Sequence, residues 1–315
     1  MPLVRHLINY LGLAAVLALL VLFFGSQSEH FLTQGNFVSL ANQIPDALLI
    51  ALGMTLVLII GEIDLSVGSV MALSGAVLGV AVAVWGWPIY AAIPLAMAAG
   101  ALCGLINGLI VVRWRLPSFI VTLGMMEAAR GAAYLVTDSQ TIYIGRAVDQ
   151  LTSFTAGGLT VLFYVAVLAV LLGQGALSMT TWGRGLFALG ASEETARLSG
   201  LPTTRIKIVV FMLSGLAAGL ASVVLCARLS SADPNMGSGY ELNAIAAVVV
   251  GGTSLLGGRG SAINTFLGVL IIAVLGSGLV QIDVADPVKR VVTGAVIVVA
   301  VILDYYRGRW SHGRG

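Results

Sequence analysis

The side chains with the chemistry to break a bond are few in this sequence, and none is placed to do so. Histidine occurs only at His6, His30 and His312, all outside the apolar runs. A membrane-embedded Ser/His pair or a histidine-held metal therefore has nothing to draw on, and paired aspartates in the middle of an apolar run are missing as well. Cys103 and Cys226 both lie within apolar runs, the pattern of inert packing thiols rather than of a disulfide framework or a CxxC metal site. The stretch from Gly252 to Arg259, GTSLLGGR, approaches a phosphate-binding loop, but Gly258 stands where that loop needs its Lys. A helix-to-helix turn is the better reading. The chain is expected to be no enzyme, to hydrolyse no ATP and to hold no metal or cofactor of its own.

The remaining ionisable groups near apolar runs are costly there and ask for partners. Glu127 and Arg130 are spaced i and i+3, one helical turn, which allows an ion pair within a span; neutralisation is the structural reading and a place on a solute pathway the functional one. Glu62 and Asp64 flank a break in the apolar pattern, either solvated at the membrane surface or bracing a gate. Asp46, near the start of an apolar run, is expected at the interface.

The segment from Ala188 to Pro202 is the most informative polar stretch. Ser192 can cap a helix through its hydroxyl, and Glu193 and Glu194 then occupy the first turn, where the helix dipole favours negative charge. Arg197 falls toward the C-terminal end, Gly200 suits the left-handed residue beyond it, and Pro202 blocks continuation. The punctuation predicts a helix of about seven residues, roughly 10 Å long. Too short to cross a membrane, it either lies on the surface, merely tidying a loop, or docks into a partner.

The elements that must position these residues are membrane spans. Of 315 residues, 58% are apolar and 10% charged, with a mean hydropathy of +1.01, whereas soluble domains carry about 25% charged residues. A soluble globule is excluded. The net charge is +2 with no Lys/Arg block, so nucleic acid is not an expected partner. A span needs about 20 mostly apolar residues, and about ten candidates appear: 11–24, 47–60, 67–85, 89–112, 119–136, 159–172, 206–227, 242–256, 263–280 and 288–305. The first resembles a cleaved signal peptide, but its weak cleavage site and the many spans that follow favour a retained anchor.

Lys/Arg placement orients the chain. With the N-terminus inside, Arg5, Arg113, Arg115, Arg184, Arg197, Arg205, Lys207, Arg259, Arg307, Arg309 and Arg314 share the cytoplasmic side, while Glu29, Asp138, Asp149, Asp233, Glu241, Asp283 and Asp286 face the other. An even number of spans with both termini cytoplasmic satisfies this. The fold class is all-α, a single polytopic membrane domain over 1–315 with a cytoplasmic loop at 183–205. Two connections, 137–158 and 179–205, are long enough to hold structure. A faint internal echo joins GEIDLSVGS at 61–69 to the GTSLLGGRGS stretch that ends at Ser261; paired Gly-interrupted spans of this kind point to discontinuous helices around a translocation path.

Longer motifs carry a resemblance: GEIDLSVGSVMALSGAV at 61–77, GLINGLIV at 104–111, LPSFIVTLGMMEAARG at 116–131, ARLSGL at 196–201, SGLAAGLA at 214–221 and GYELNAIAAVVVGGTSLLGGRGS at 239–261. Past the first span, nearly the whole chain resembles the permease subunits of bacterial ATP-binding-cassette importers for ribose and related sugars, of the branched-chain amino acid/ribose superfamily. The resemblance implies the type II importer permease fold in the inner membrane. It also implies a second permease subunit, identical or related, with the path at their interface, a cytoplasmic ATPase that binds ATP and magnesium, and a periplasmic sugar-binding protein. The loop helix becomes the ATPase-coupling element, with its docking signature on Glu194, Thr195 and Ala196 and its glycine at Gly200, alongside Ser192, Glu193 and Arg197. Thr195 departs from the commoner Ala, and Ser192 stands where many relatives have Asn. The outer loop 137–158 is the candidate contact for the binding protein.

Sugar hydroxyls need neutral donors and acceptors, which Ser66, Ser69, Ser74, Asn107, Thr122, Asn243 and Thr253 supply as candidates for the path; the alternative is that each bonds its own helix or a neighbour. Asn243 sits where relatives often carry Asp. The same superfamily leaves branched-chain amino acids or nucleosides open as cargo, and an ion-coupled secondary transporter is the reading from a different class.

Overall fold

The computed structural model describes residues 2–302 other than Asp286, Arg290, Ile297 and Ala300. Its elements run α1 (Pro2–Gln27), α2 (Gln34–Gln43), α3 (Pro45–Ile59), α4 (Val67–Ala83), α5 (Ile89–Trp114), α6 (Ser118–Val136), β1 (Ile142–Tyr143), α7 (Gly145–Ser153), β2 (Thr155–Ala156), β3 (Leu159–Thr160), α8 (Val161–Met179), α9 (Thr181–Ala191), α10 (Glu193–Leu198), α11 (Thr203–Leu229), β4 (Ser231–Ala232), α12 (Tyr240–Val250) and α13 (Ala262–Gln281). The architecture is all-α, and its strands form only two small antiparallel pairs among the described residues, β1 with β4 and β2 with β3.

Among the described residues, five helices are long and apolar enough to cross a membrane: α5, α6, α8, α11 and α13. The pair α2–α3, bent by 47°, qualifies as a sixth, while residues 11–27, α4 and α12 are shorter apolar helices. These nine segments fall on nine of the ten expected spans. The tenth, 288–305, runs beyond the described residues, as do Arg307, Arg309, His312 and Arg314; Asp286 and Arg290 are likewise outside them.

The core forms around α3 and α11. Nearly all of α3 is buried, as expected of a helix that is apolar all round. Along one side α11 packs on α5, and along others on α3 and α4. Close approach there depends on Gly100 and Gly215: a Cβ on either would overlap the other's carbonyl oxygen, the small-residue contact by which helices associate without a hydrophobic drive. The outer surfaces of α6 and α8 stay apolar and exposed, as at Leu135, Leu168, Leu171 and Leu172, as suits contact with lipid.

The connection 137–158 is built rather than slack. It carries β1 and α7, and pairing of Ile142 with Ala232 and Tyr143 with Ser231 ties it to the turn after α11. Thr141 Oγ1 adds a hydrogen bond to Asp233 Oδ2 at 2.8 Å.

Candidate functional site

The helix predicted from Ser192 to Gly200 is α10, six residues long. Ser192 ends α9 and starts α10: its Oγ accepts the Thr195 N–H at 3.2 Å and donates to Thr195 Oγ1 at 2.9 Å. Glu193 and Glu194 occupy the first turn and Arg197 the last. Gly200, at φ +81°, reverses the chain, and its N–H returns to the Arg197 carbonyl at 3.0 Å. Ala196 is buried and seats the helix on the bundle, while Glu194, Thr195, Arg197 and Leu198 are exposed. A capped helix with one face seated and the other open is the form a docking element requires.

Behind α10, the two breaks in the apolar pattern meet. The segment 60–66 joins α3 to α4, and 251–261 joins α12 to α13; Gly258 N–H donates to the Ile59 carbonyl at 2.9 Å. Gly190 of α9 lies on this junction so closely that a Cβ there would overlap the Ile59 carbonyl oxygen and stand 2.5 Å from Gly258 N. The α9–α10 unit thus touches the ends of both interrupted helix pairs, backbone to backbone.

The first break is held by the polar residues expected along a path. Asp64, 1% exposed, accepts Ser66 N–H at 3.0 Å, Ser66 Oγ at 2.6 Å and Ser214 Oγ at 2.9 Å. The N-terminus of α4 adds its dipole to this carboxylate. Asn107 Nδ2 donates to Ser66 Oγ at 3.0 Å, and Ser118 Oγ and Thr122 Oγ1 accept the Ile63 and Leu65 N–H groups at 3.0 and 3.1 Å. Ser66, Asn107 and Thr122 therefore serve the interior of the chain, and Ser69, Ser74 and Thr253 are buried too. Ser74 Oγ, Asn107 Oδ1 and Thr253 Oγ1 have no hydrogen-bond partner among the described residues. Asp64, expected at a solvated surface or bracing a gate, is enclosed because the break folds inward onto α6 and α11.

The expected ion pair between Glu127 and Arg130 does not close. Arg130 Nη1 instead donates to the carbonyls of Pro234 and Met236 at 2.6 and 2.8 Å, and Glu127 is exposed. The turn after α11 comes within reach of the guanidinium and offers two acceptors that helical spacing does not reveal. Asp46, expected to be interfacial, is 1% exposed and sits under Arg228 and Tyr240.

At the far end of α11 from α10, a cavity of about 580 Å³ opens between α2, α3, α12 and α13. Its polar lining includes Asn36, Gln43, Arg228, Tyr240, Asn243 and Gln281. Of the seven path candidates, Asn243 alone lines it. Two residues of the site escaped the sequence reading, Lys207 and Arg228. Arg228 is the one cation near the C-terminal end of the long apolar α11, a signal the sequence offers, whereas Lys207 follows Arg205 by two residues and nothing in the sequence sets it apart. Among the described residues no group of three or more His, Cys, Asp or Glu could hold a metal ion.

Comparison with known proteins places this geometry in context. The family model for the branched-chain amino acid transport system / permease component matches residues 36–301. The chain is 40% identical over 299 residues to the ribose import permease protein RbsC of Escherichia coli strain K12, covering 92% of each. It is 36% identical to the D-allose transport system permease protein AlsC of the same strain, over 93% of this chain and 90% of that one. To the L-arabinose ABC transporter permease protein AraH of Azospirillum brasilense it is 34% identical, over 96% and 90%.

Proposed function

Since this chain belongs to the branched-chain amino acid transport system / permease component family, we propose that it is the membrane-spanning permease subunit of an ATP-driven importer that carries a sugar into the cell. The relatives named for ribose, allose and arabinose support a sugar over an amino acid or nucleoside. In this reading the chain is no enzyme: a cytoplasmic ATPase binds ATP and magnesium, a periplasmic binding protein delivers the sugar, and a second permease subunit completes the path in the inner membrane.

The observation that carries the reading is the placement of α9–α10. Its open face, with Glu194, Thr195, Arg197 and Leu198, is available to a groove on the ATPase, and its inner side rests on the junction of Ile59 and Gly258. Displacement of α10 by the ATPase is passed as a rigid push, because backbone in contact with backbone has no side chain to yield. The push reaches α3–α4 and α12–α13 together and alternates access to the cavity at the other end of α11. The cavity suits a neutral polyol: its amides and hydroxyls offer donors and acceptors without an unpaired charge.

Uptake by the assembled importer tests this. Glu194→Lys or Gly200→Pro is expected to abolish sugar uptake while the chain still inserts and reaches the membrane in normal amount. Normal uptake in both variants, or carriage of solute by this chain alone in ATP-free vesicles, overturns the assignment.

A further inference from the structure

Lys207 stands in the second turn of α11 between two carboxylates from different elements. Its Nζ lies 2.7 Å from Glu62 Oε1, in the first break, and 2.8 Å from Glu193 Oε2, the first residue of α10. We propose that Lys207 is the positioning residue that couples α10 to the first helix break, converting docking of the ATPase into a pull on Glu62. The inference rests on the proposed role of α10 and adds a specific electrostatic link to the backbone contact at Gly190.

The two arms of the bridge differ in a way that suits this task. The side chains of Lys207 and Glu62 are 12% and 14% exposed, whereas that of Glu193 is 57% exposed. The inner arm is shielded from water and holds firmly; the outer arm is screened and weak. A protein groove closing over α10 removes water from Glu193 and strengthens the outer arm, since the same charges attract more in a lower dielectric. Docking thereby turns a loose contact into a taut one.

Glu62 is where that tension has an effect. It follows Gly61, whose φ of +77° marks the turn out of α3. The residues after it are pinned to α6 through Ser118 and Thr122 and to α11 through Ser214. Lys207 and Ser214 are seven residues apart on α11, two turns, so one helix face grips the break at Glu62 and again at Asp64. Movement of α10 relative to α11 is felt at the first grip and transferred through the second to the N-terminus of α4. Without the ammonium, Glu62 and Glu193 become two carboxylates facing a shared gap and repel.

The test uses the whole importer, with ATPase and binding protein, reconstituted in vesicles and probed with D-ribose, then D-allose and L-arabinose. The readout is sugar moved per ATP hydrolysed, which a merely stabilising ion pair would leave alone. Lys207→Gln is expected to lower that ratio about fivefold or more, with the complex still assembled. Lys207→Arg, which keeps the charge, restores it, and Glu62→Gln reproduces the loss. An unchanged ratio in Lys207→Gln, or equal loss in Lys207→Arg, overturns the proposal. Should Lys207→Gln not assemble, Glu62→Gln decides on the same ratio. Failure of the parent chain to bind any ATPase or carry any of the three sugars would instead overturn the transport reading.

Discussion

Arg228, in the last turn of α11, and Asp46, in the first turn of α3, close an ion pair at 2.8 Å beside the cavity. The same guanidinium donates to the Gln43 carbonyl at 3.1 Å, and Tyr240 Oη donates to Asp46 at 3.0 Å. Three elements are therefore fastened at one carboxylate: the bend between α2 and α3, the end of α11 and the start of α12. Removing Arg228 would leave Asp46 buried with its main counter-charge gone. Arg228→Met is expected to destabilise the protein by about 3 kcal/mol, the low end for breaking a buried pair, because the Arg228 side chain is 30% exposed. Unfolding followed in detergent checks this, and Arg228→Lys should fall between. Parent-like stability in Arg228→Met would show that the pair does not hold these elements together.

Gly190 offers a sharper test of packing. A methyl group there must push α9 away from Ile59 and Gly258, and overpacking of this kind costs about 1–3 kcal/mol, occasionally more. Gly190→Ala is expected to lose stability by that amount and to lose uptake even where the chain is present in the membrane. Gly175, in α8, has open space where its Cβ would be, so Gly175→Ala should gain up to about 1 kcal/mol from helix propensity and carry sugar normally. Equal behaviour of the two variants would remove the junction from the coupling route.

Local punctuation was legible in the sequence, and long-range closure was not. Ser192, Gly200 and Pro202 bound α10 correctly because caps act on groups a few residues away. The breaks at Gly61 and Gly257 were visible for the same reason. That the two breaks touch, through Gly258 and Ile59, depends on packing between elements nearly two hundred residues apart. The path candidates show the same division. Ser66, Asn107 and Thr122 were recognised as polar groups within apolar runs, yet what they face is decided by the inward fold of Asp64. Spacing allowed Glu127 to reach Arg130, but two carbonyls after α11 took the guanidinium.

The cap on α10 gives a prediction of its own. A six-residue helix has few internal hydrogen bonds, so the Thr195 N–H accepted by Ser192 Oγ is a large share of what holds it. Ser192→Ala is expected to loosen α10 by about 1 kcal/mol, seen as faster hydrogen exchange over 193–198, with exchange in α3 and α11 unchanged. In the proposed coupling role of α10 a frayed helix transmits less displacement, so uptake should fall with it. Unchanged exchange would mean that Ala196 packing alone fixes the helix.

Acid should release the turn after α11. Asp233 accepts the Asn235 N–H at 2.7 Å and the Thr141 hydroxyl at 2.8 Å, and these bonds hold its carboxyl below the usual carboxylate range, the Asn235 backbone first. Its folded value lies below its unfolded one, so its stabilising contribution is present above the unfolded value, about 3.9, and disappears as pH falls through the folded value. Proteolysis within 137–158 is expected to rise over that acid window, and Asp233→Asn should remove the pH dependence while leaving cleavage at neutral pH raised. A parent chain whose cleavage ignores acid would break the link between this carboxylate and the loop.

Asn243 tests whether sugar passes through the cavity. It stands in the first turn of α12 with its side chain exposed toward the lining that Arg228 and Tyr240 share. One hydrogen bond to a passing hydroxyl contributes about 0.5–1.5 kcal/mol, so Asn243→Ala should slow uptake by about 2- to 12-fold, the same energy read as a rate. The fold rests on contacts that Asn243 does not make, so stability should match the parent. In the proposed importer the binding protein is a separate chain whose affinity should not move, which assigns any loss to the permease. Asn243→Gln, which keeps the amide but displaces it, should fall between. Full uptake in Asn243→Ala, with the complex assembled, would mean that Asn243 makes no bond to the passing sugar and would take this part of the cavity out of the proposed path.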